Sequence, residues 1–463
     1  MTVSSAKARH QLVVVANRLP VQRTGDDHEW TTSPGGLVRA LLSVLRARDG
    51  AWIGWTGEID GDATDALDLE GVHLVPVALS KAEHEGYYES VANGALWPLY
   101  HDAIRPSTFG PGSWTTYREV NERFARAAAA QAGPAAVVWI HDYHLQLVPQ
   151  MLRELRPDVT IGFFLHIPFP PQELFMRLPW REEILHGLLG ADLIGVQRKV
   201  AAENFAAVAR RLVGATGQVP TLHLDDGRQV RIGAFPISID VDEFDEIARR
   251  PDTALAAEDI RERLGHPDAI LVGVDRLDYT KGIDGRLLAV REVLRRRPSS
   301  RIVMVQVAVP SREGLDDYLD ERHRVEQLVG EINGDHSTLG YPALHYLHQS
   351  LPIEELVALY QAADVMLVTP LRDGMNLVAK EFAASRVDEQ GVLVLSEFAG
   401  AADELSDAII VNPHDFEAMV AAIETAIDLE PARRRESMIN IRKAVESSDV
   451  HAWADTMLKL LER

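Results

Sequence analysis

Val365–Val368 reads VMLV, and Thr369–Glu381 continues as TPLRDGMNLVAKE. Four apolar residues make a short buried strand. Thr369–Pro370–Leu371–Arg372 then breaks the run, and a helix is expected from near Gly374 through Leu377–Val378–Ala379–Lys380–Glu381. Asp373 and Gly374 make a tight entry, and the first amides of the helix are donors without intrahelical partners. Such an N-terminus carries about half a positive charge and suits a phosphate. Glu381 lies eight residues beyond Asp373, about two turns, so both can face one ligand from one side. The competing reading is an ordinary helix capped by Asp373.

The same strand–turn–helix grammar extends in both directions. Leu12–Ala16, Ala136–Ile140, Ile161–Leu165 and Leu193–Val196 are short apolar runs in the first half; Ile270–Val274, Ile302–Val307 and Val392–Leu395 continue in the second. Helical periodicity separates them at Gly36–Arg46, Gly285–Arg296, Leu315–Ile332 and Ile353–Ala362. This alternation specifies parallel sheets covered on both faces. It restarts after a polar stretch beginning near Phe235–Ile239. The expected architecture is therefore α/β, with two doubly wound, Rossmann-like domains at 1–237 and 238–450 facing a cleft. The amphipathic tail within 451–463, with Trp453, Met457, Leu460 and Leu461, is expected to pack on a domain surface.

The 463 residues are 46 % hydrophobic and 25 % charged, ordinary globular values that argue against disorder and coiled coils. Lys+Arg total 47 and Asp+Glu 69, a net charge of −22, which disfavours a nucleic-acid or anionic-membrane binder. It leaves room for a local basic pocket. The absence of cysteine excludes disulfides, thiol nucleophiles and Cys-zinc sites. Met1–His10 is polar, so no signal peptide is expected, and no run approaches the length of a membrane span. A cytoplasmic location is the expectation. There is no G-x-G-x-x-G after a strand, no Walker loop, no H-E-x-x-H and no G-x-S-x-G. His141–Asp142–Tyr143–His144 offers two imidazoles beside one carboxylate but no further ligand, so no metal site is assigned.

Four further segments carry candidate chemistry. Arg276–Leu277–Asp278–Tyr279–Thr280–Lys281–Gly282 follows the Ile270–Val274 strand and places two cations where a doubly wound domain binds its ligand; a solvated loop with an Arg276–Asp278 pair is the plainer alternative. Asn17–Arg18–Leu19–Pro20 ends the first strand, and Gly35–Gly36 opens the next helix after a polar loop. Trp52, Trp55, Tyr87, Tyr88 and Trp97 suit the apolar faces of sugar rings, or a core. His166 lies where the Phe163–Phe164–Leu165 strand runs into Ile167–Pro168–Phe169–Pro170. Asp240–Val241–Asp242 has the D-x-D spacing of some metal-dependent transferases, but it lies away from the phosphate-binding motifs and reads as an acidic turn.

In order, NRLP, the GG-L helix start, WIHDYH, GFFLHIPFP, DRLDYTKG, PSREG and TPLRDGMNLVAKE make the chain resemble the trehalose-6-phosphate synthases, retaining glycosyltransferases of GT-B fold. The resemblance covers the chain from about Leu12 to the last helix, as a stand-alone bacterial form. It implies transfer of glucose from a nucleoside-diphosphate glucose to glucose 6-phosphate, the first step of trehalose biosynthesis. It assigns Arg18, Trp52, Tyr88, Trp97, Asp142 and Arg312 to the acceptor. Gly35, Gly36, Arg276, Lys281, Asp373, Met375, Asn376, Leu377 and Glu381 go to the donor. Asp142, His166, Arg276, Lys281 and Asp373 fall at the reacting centre. No tightly bound cofactor and no divalent metal is implied by any motif; the partners are small molecules, and a homo-oligomer is compatible. A sister transferase with another acceptor, or a silent sugar-phosphate-binding regulator, are the alternatives. The donor base is left open between uracil, guanine and adenine.

Overall fold

The computed structural model describes residues 9–24, 29–32, 36–61, 66–69, 71–103, 110, 112–312 and 314–463. The chain divides into two compact units, Met1–Ile237 with Val450–Arg463, and Ser238–Asp449.

The first unit is built on strands β1 (His10–Arg18), β2 (Val21–Thr24), β3 (Glu29–Thr32), β4 (Ala51–Trp55), β5 (Leu67–Leu69), β6 (Val72–Pro76), β7 (Ala132–His141), β8 (Thr160–Leu165), β9 (Leu193–Val196), β10 (Thr216–Gln218), β11 (Thr221–His223) and β12 (Gln229–Ala234). Ten of them form one sheet in the order β10-β11-β12-β9-β8-β7-β1-β4-β6-β5. Its centre, from β12 to β6, is parallel throughout. The strand order reverses between β1 and β7, which is the topological switch point of the sheet. Strands β2 and β3 form a separate antiparallel hairpin, so the expected polar loop after Arg18 is largely strand.

The second unit contains β13 (Ala269–Arg276), β14 (Ile302–Val309), β15 (Leu344–Leu347), β16 (Val365–Val368), β17 (Val392–Ser396) and β18 (Ile409–Val411). They form an all-parallel sheet, β15-β14-β13-β16-β17-β18. The switch point falls between β13 and β16. Both are near-continuous buried apolar runs, as strands covered on two faces must be. The core packs Leu271, Ile283, Leu287, Val290, Met304, Val365 and Leu367 between sheet and helices. Both units are doubly wound α/β, as the periodicity requires.

The C-terminal helix Val450–Leu461 belongs to the first unit. It lies over bare glycines: a Cβ on Gly162 of β8 would meet Leu461 Cδ1 at 2.6 Å, and one on Gly195 of β9 would meet Met457 Cε at 3.0 Å. Trp453 packs edge-on against Phe164, ring centroids 4.9 Å apart, and its indole N–H donates to the Phe235 carbonyl at 3.1 Å. Asp240 caps the helix Val241–Ala248 by accepting from the Glu243 amide at 3.2 Å, a structural role for the D-x-D spacing. Among the described residues, no helix is long and apolar enough to cross a membrane.

Candidate active site

In the second unit the candidate residues converge at the switch point. Strand β13 ends at Arg276, and a 3-10 turn, Tyr279–Lys281, leads through Gly282 into the helix Ile283–Arg296. Gly282 has φ +62°, and a Cβ there would lie 2.7 Å from the Thr369 carbonyl oxygen, so conformation and space both require glycine. The turn is thereby pressed against the loop leaving β16, where the Leu371 amide donates to the Thr280 carbonyl at 2.8 Å. Lys281 Nζ donates to Asp373 Oδ2 at 2.5 Å, with both side chains largely buried. Asn376 Nδ2 donates to the same oxygen at 3.1 Å, and the Met375 amide reaches Asp373 Oδ1 at 3.4 Å.

The helix begins at Leu377, three residues later than expected from Gly374, because Asn376 sits in the left-handed region at φ 76°. Asp373 is therefore no cap; it organises the loop before the helix. Asn376 Oδ1 is buried without a hydrogen-bond partner among the described residues. The Gly374–Met375 backbone rests on Gly400: a Cβ there would come within 2.0 Å of the Gly374 oxygen, and the Ala401 amide donates to the Met375 carbonyl at 2.8 Å. Glu381, in the second turn, accepts from Tyr360 Oη at 3.1 Å. Burial pushes its carboxyl up to about 7, with the Tyr360 hydrogen bond acting in the opposite sense.

Asp278 is fully buried and accepts four hydrogen bonds: from the Thr280 amide (2.9 Å), Thr280 Oγ1 (2.8 Å), Arg312 Nη1 (3.0 Å) and Tyr318 Oη (3.2 Å). Burial alone would raise its pKa; Arg312, Arg276 and Lys281 more than offset it and hold the group below the ordinary carboxylate range. Asp278 pairs with Arg312 at 3.0 Å, and Arg276, exposed at the strand end, adds a second positive charge that favours its ionised form. Beneath the turn lies a residue that the motifs did not single out. Arg286 is wholly buried, bonded to Asp275 (2.5 Å), Gln306 (3.0 Å), Thr369 Oγ1 (3.0 Å) and the Lys281 carbonyl (3.4 Å). Its one signal is Gly273 in the otherwise apolar ILVGV run, where a Cβ would strike the Arg286 guanidinium at 2.5 Å.

In the first unit the candidates gather at the other switch point, beyond the ends of β1 and β7. Arg18 closes β1, and its guanidinium lies 4.8 Å from the centroid of the Trp55 ring. Gly57 gives it room; a Cβ there would sit 2.3 Å from Arg18 Nη2. Trp52 is 3 % exposed and donates its indole N–H to the Arg18 carbonyl at 3.1 Å, so it supports the strand end while Trp55 meets the cation. Tyr88 lies on a π-helix, His84–Leu96, 6.0 Å from Trp55 and stacked between His84 (5.0 Å) and His144 (5.7 Å). Windings of this kind often mark functional segments. Trp97 is buried against His101 and Tyr143. Gly35 lies outside the described residues; Gly36 is the first residue of the helix Gly36–Ala47.

Asp142 follows β7 with φ 75° and ψ 168°, a region almost reserved for glycine, at a cost of about 1–3 kcal/mol. The turn is held by buried polar groups: Tyr117 Oη donates to the Tyr143 carbonyl (2.8 Å), Asn121 Nδ2 to the His144 carbonyl (3.1 Å) and Tyr143 Oη to Asn93 Oδ1 (2.8 Å). Asp142 Oδ1 in turn accepts from the His166 amide at 3.2 Å, joining WIHDYH to GFFLHIPFP.

The model of glycosyltransferase family 20 matches residues 10–463. The chain belongs to glycosyltransferase family 20. A trehalose-6-phosphate synthase of Mycolicibacterium gilvum is 52 % identical over 475 residues, covering 99 % of this chain and 94 % of that protein. Two solved structures are close in fold. The α,α-trehalose-phosphate synthase (UDP-forming) from Burkholderia xenovorans in complex with glucose 6-phosphate has a TM-score of 0.89 at 31 % identity, covering 98 % of this chain and 100 % of that one. The E. coli protein bound with UDP-2-fluoro glucose has a TM-score of 0.90 at 33 % identity, covering 98 % and 99 %. This chain gathers Arg276, Lys281 and a helix N-terminus at the switch point of the second unit, and Arg18 with its aromatics at that of the first.

Proposed function

We propose that the protein is a trehalose-6-phosphate synthase, transferring glucose from UDP-glucose to glucose 6-phosphate with retention and releasing α,α-trehalose 6-phosphate and UDP. The observation that carries this reading is the buried Lys281–Asp373–Asn376 cluster at the β13/β16 switch point, between the exposed end of Arg276 and the N-terminus of Leu377–Ser385. As the glycosidic bond of the donor breaks, negative charge grows on the diphosphate and positive character on the glucose C1. Arg276, Lys281 and the amides at the helix start take up the first charge as preorganised donors, an arrangement that contributes most where water is excluded. Asp373 bonds a donor glucose hydroxyl, Glu381 a ribose hydroxyl, and Asp142 and His166 hold the sugars. Arg18 receives the acceptor phosphate, with Tyr88 and Trp55 beside it. No step calls for a metal, and no cofactor enters.

The uracil preference rests on the kinship with UDP-linked relatives, so the donor panel is the test. Purified protein is incubated with glucose 6-phosphate and each of UDP-, GDP- and ADP-glucose, and products are read by proton NMR. The expected product has both anomeric protons in the α configuration and forms fastest from UDP-glucose. A β linkage would remove retention; preference for another donor would change the base; no product from any donor would favour a regulator.

A further inference from the structure

His141, the last residue of β7, is 3 % exposed, and its Nδ1 lies 3.1 Å from Nε2 of His166 at the end of β8, with the rings stacked at 23°. Both rings are neutral across the physiological range. Burial lowers His141 well below its ordinary value, with His166 adding to the effect, and burial holds His166 at about 3. Two neutral imidazoles at this distance share one proton, and which ring owns it fixes the tautomer of both.

The surroundings of His141 decide between the two arrangements. Its other nitrogen, Nε2, is buried with no hydrogen-bond partner among the described residues. The rings around it are Trp139 at 4.7 Å and Trp453, from the C-terminal helix, at 6.5 Å. A proton on Nε2 would leave a buried N–H donor with no oxygen or nitrogen acceptor among the described residues, whereas an unprotonated Nε2 leaves only a lone pair there. Buried donors without a partner are the rarer and costlier defect. The proton therefore sits on Nδ1, which donates to His166 Nε2. A neutral His166 that accepts at Nε2 carries its own proton at Nδ1.

We propose that His141 is a positioning residue that fixes the tautomer of His166, so that His166 offers its Nδ1–H, a donor, to the sugar oxygens. Trp453 and Trp139 complete the device by keeping Nε2 of His141 dry. The role toward sugar rests on the transferase reading above; the tautomer does not.

The test has two parts. Histidine is labelled with nitrogen-15, and long-range proton–nitrogen correlations are recorded without substrate, assigned by loss of signals in His141→Asn and His166→Asn. His166 should show a protonated Nδ1 and an unprotonated Nε2, and His141 a protonated Nδ1; the opposite tautomer of His166 would overturn the proposal whatever the enzyme transfers. In steady state, His141→Leu should lower kcat by about tenfold to a hundredfold, the scale of a misplaced reacting group, with both KM values within about twofold. His141→Asn, whose amide N–H replaces the Nδ1 donor, should recover most of that loss. If the asparagine variant were as impaired as the leucine variant while its thermal unfolding matched wild type, His141 would be a packing residue and the proposal would fail.

Discussion

Lys281 Nζ and Asp373 Oδ2 lie 2.5 Å apart and join the loops that leave two neighbouring strands, β13 and β16, where the strand order of the second sheet reverses. The pair holds an ammonium in the place where a doubly wound sheet binds a charged ligand. Replacing Lys281 with Ala should lower kcat by about 10²–10³, the scale of one lost preorganised donor. Asp373→Asn should also impair turnover, because the lysine loses its anchor. Near-wild-type rates for Lys281→Ala would remove it from the charge-stabilising set.

Gly400 has no chemistry of its own, yet a side chain there would collide with the Gly374 oxygen at 2.0 Å. Gly400→Ala should displace the Gly374–Met375 backbone and cut turnover by about a hundredfold, as small misplacements do. Donor titration by calorimetry should show weakened binding. Unchanged donor affinity in this variant would mean that the Met375 region does not cradle the ligand.

The doubly wound fold was legible because buried parallel strands such as VMLV and LIGV are continuous apolar runs, and both match their observed bounds, Val365–Val368 and Leu193–Val196. What a local pattern cannot carry is contact between distant segments. Trp52 and Trp55 are three residues apart and equally aromatic; only the fold turns one onto the Arg18 carbonyl and the other onto its guanidinium. Arg286 looked like any helix cation, because its partners Asp275, Gln306 and Thr369 come from three other segments. The start of the TPLRDGMNL helix was misplaced because a left-handed Asn376 leaves no apolar signature.

That division of labour between the tryptophans is testable. Trp55→Leu should raise the KM for glucose 6-phosphate by about fivefold to thirtyfold, the value of a partly desolvated cation–π contact, with a smaller effect on the donor. Trp52→Phe loses the indole N–H and leaves a small void at a buried site, so it should cost about 2–3 kcal/mol of stability in urea unfolding and leave that KM nearly unchanged. The reverse pattern would put Trp52, rather than Trp55, against the acceptor.

Arg312 is tied to Asp278 at 3.0 Å, so Arg312→Ala should act twice. It should raise the KM for glucose 6-phosphate. It should also lower stability by about 3 kcal/mol, because a fully buried carboxylate loses a charged partner. An unchanged KM, measured in protein shown to be folded, would remove Arg312 from the acceptor site.

Glu381 titrates at about 7 in the fold against an ordinary 4.5. A folded-state pKa above the unfolded one gives stability that is full below pH 4.5 and is lost as pH rises through 7. Wild type should therefore lose up to about 3 kcal/mol relative to Glu381→Gln between pH 4.5 and pH 8, read by urea unfolding at each pH. Parallel pH profiles for the two proteins would contradict the buried, neutral carboxyl.

The central claim is transfer between two phosphorylated sugars, and it is tested most directly by acceptor-dependent release of UDP. Initial rates are measured with UDP-glucose alone, with added glucose and with added glucose 6-phosphate. UDP release should require glucose 6-phosphate, fall by about 10²–10³ in Lys281→Ala, and match trehalose 6-phosphate formation mole for mole. Release that is equally fast without an acceptor, or absent with glucose 6-phosphate, would contradict it.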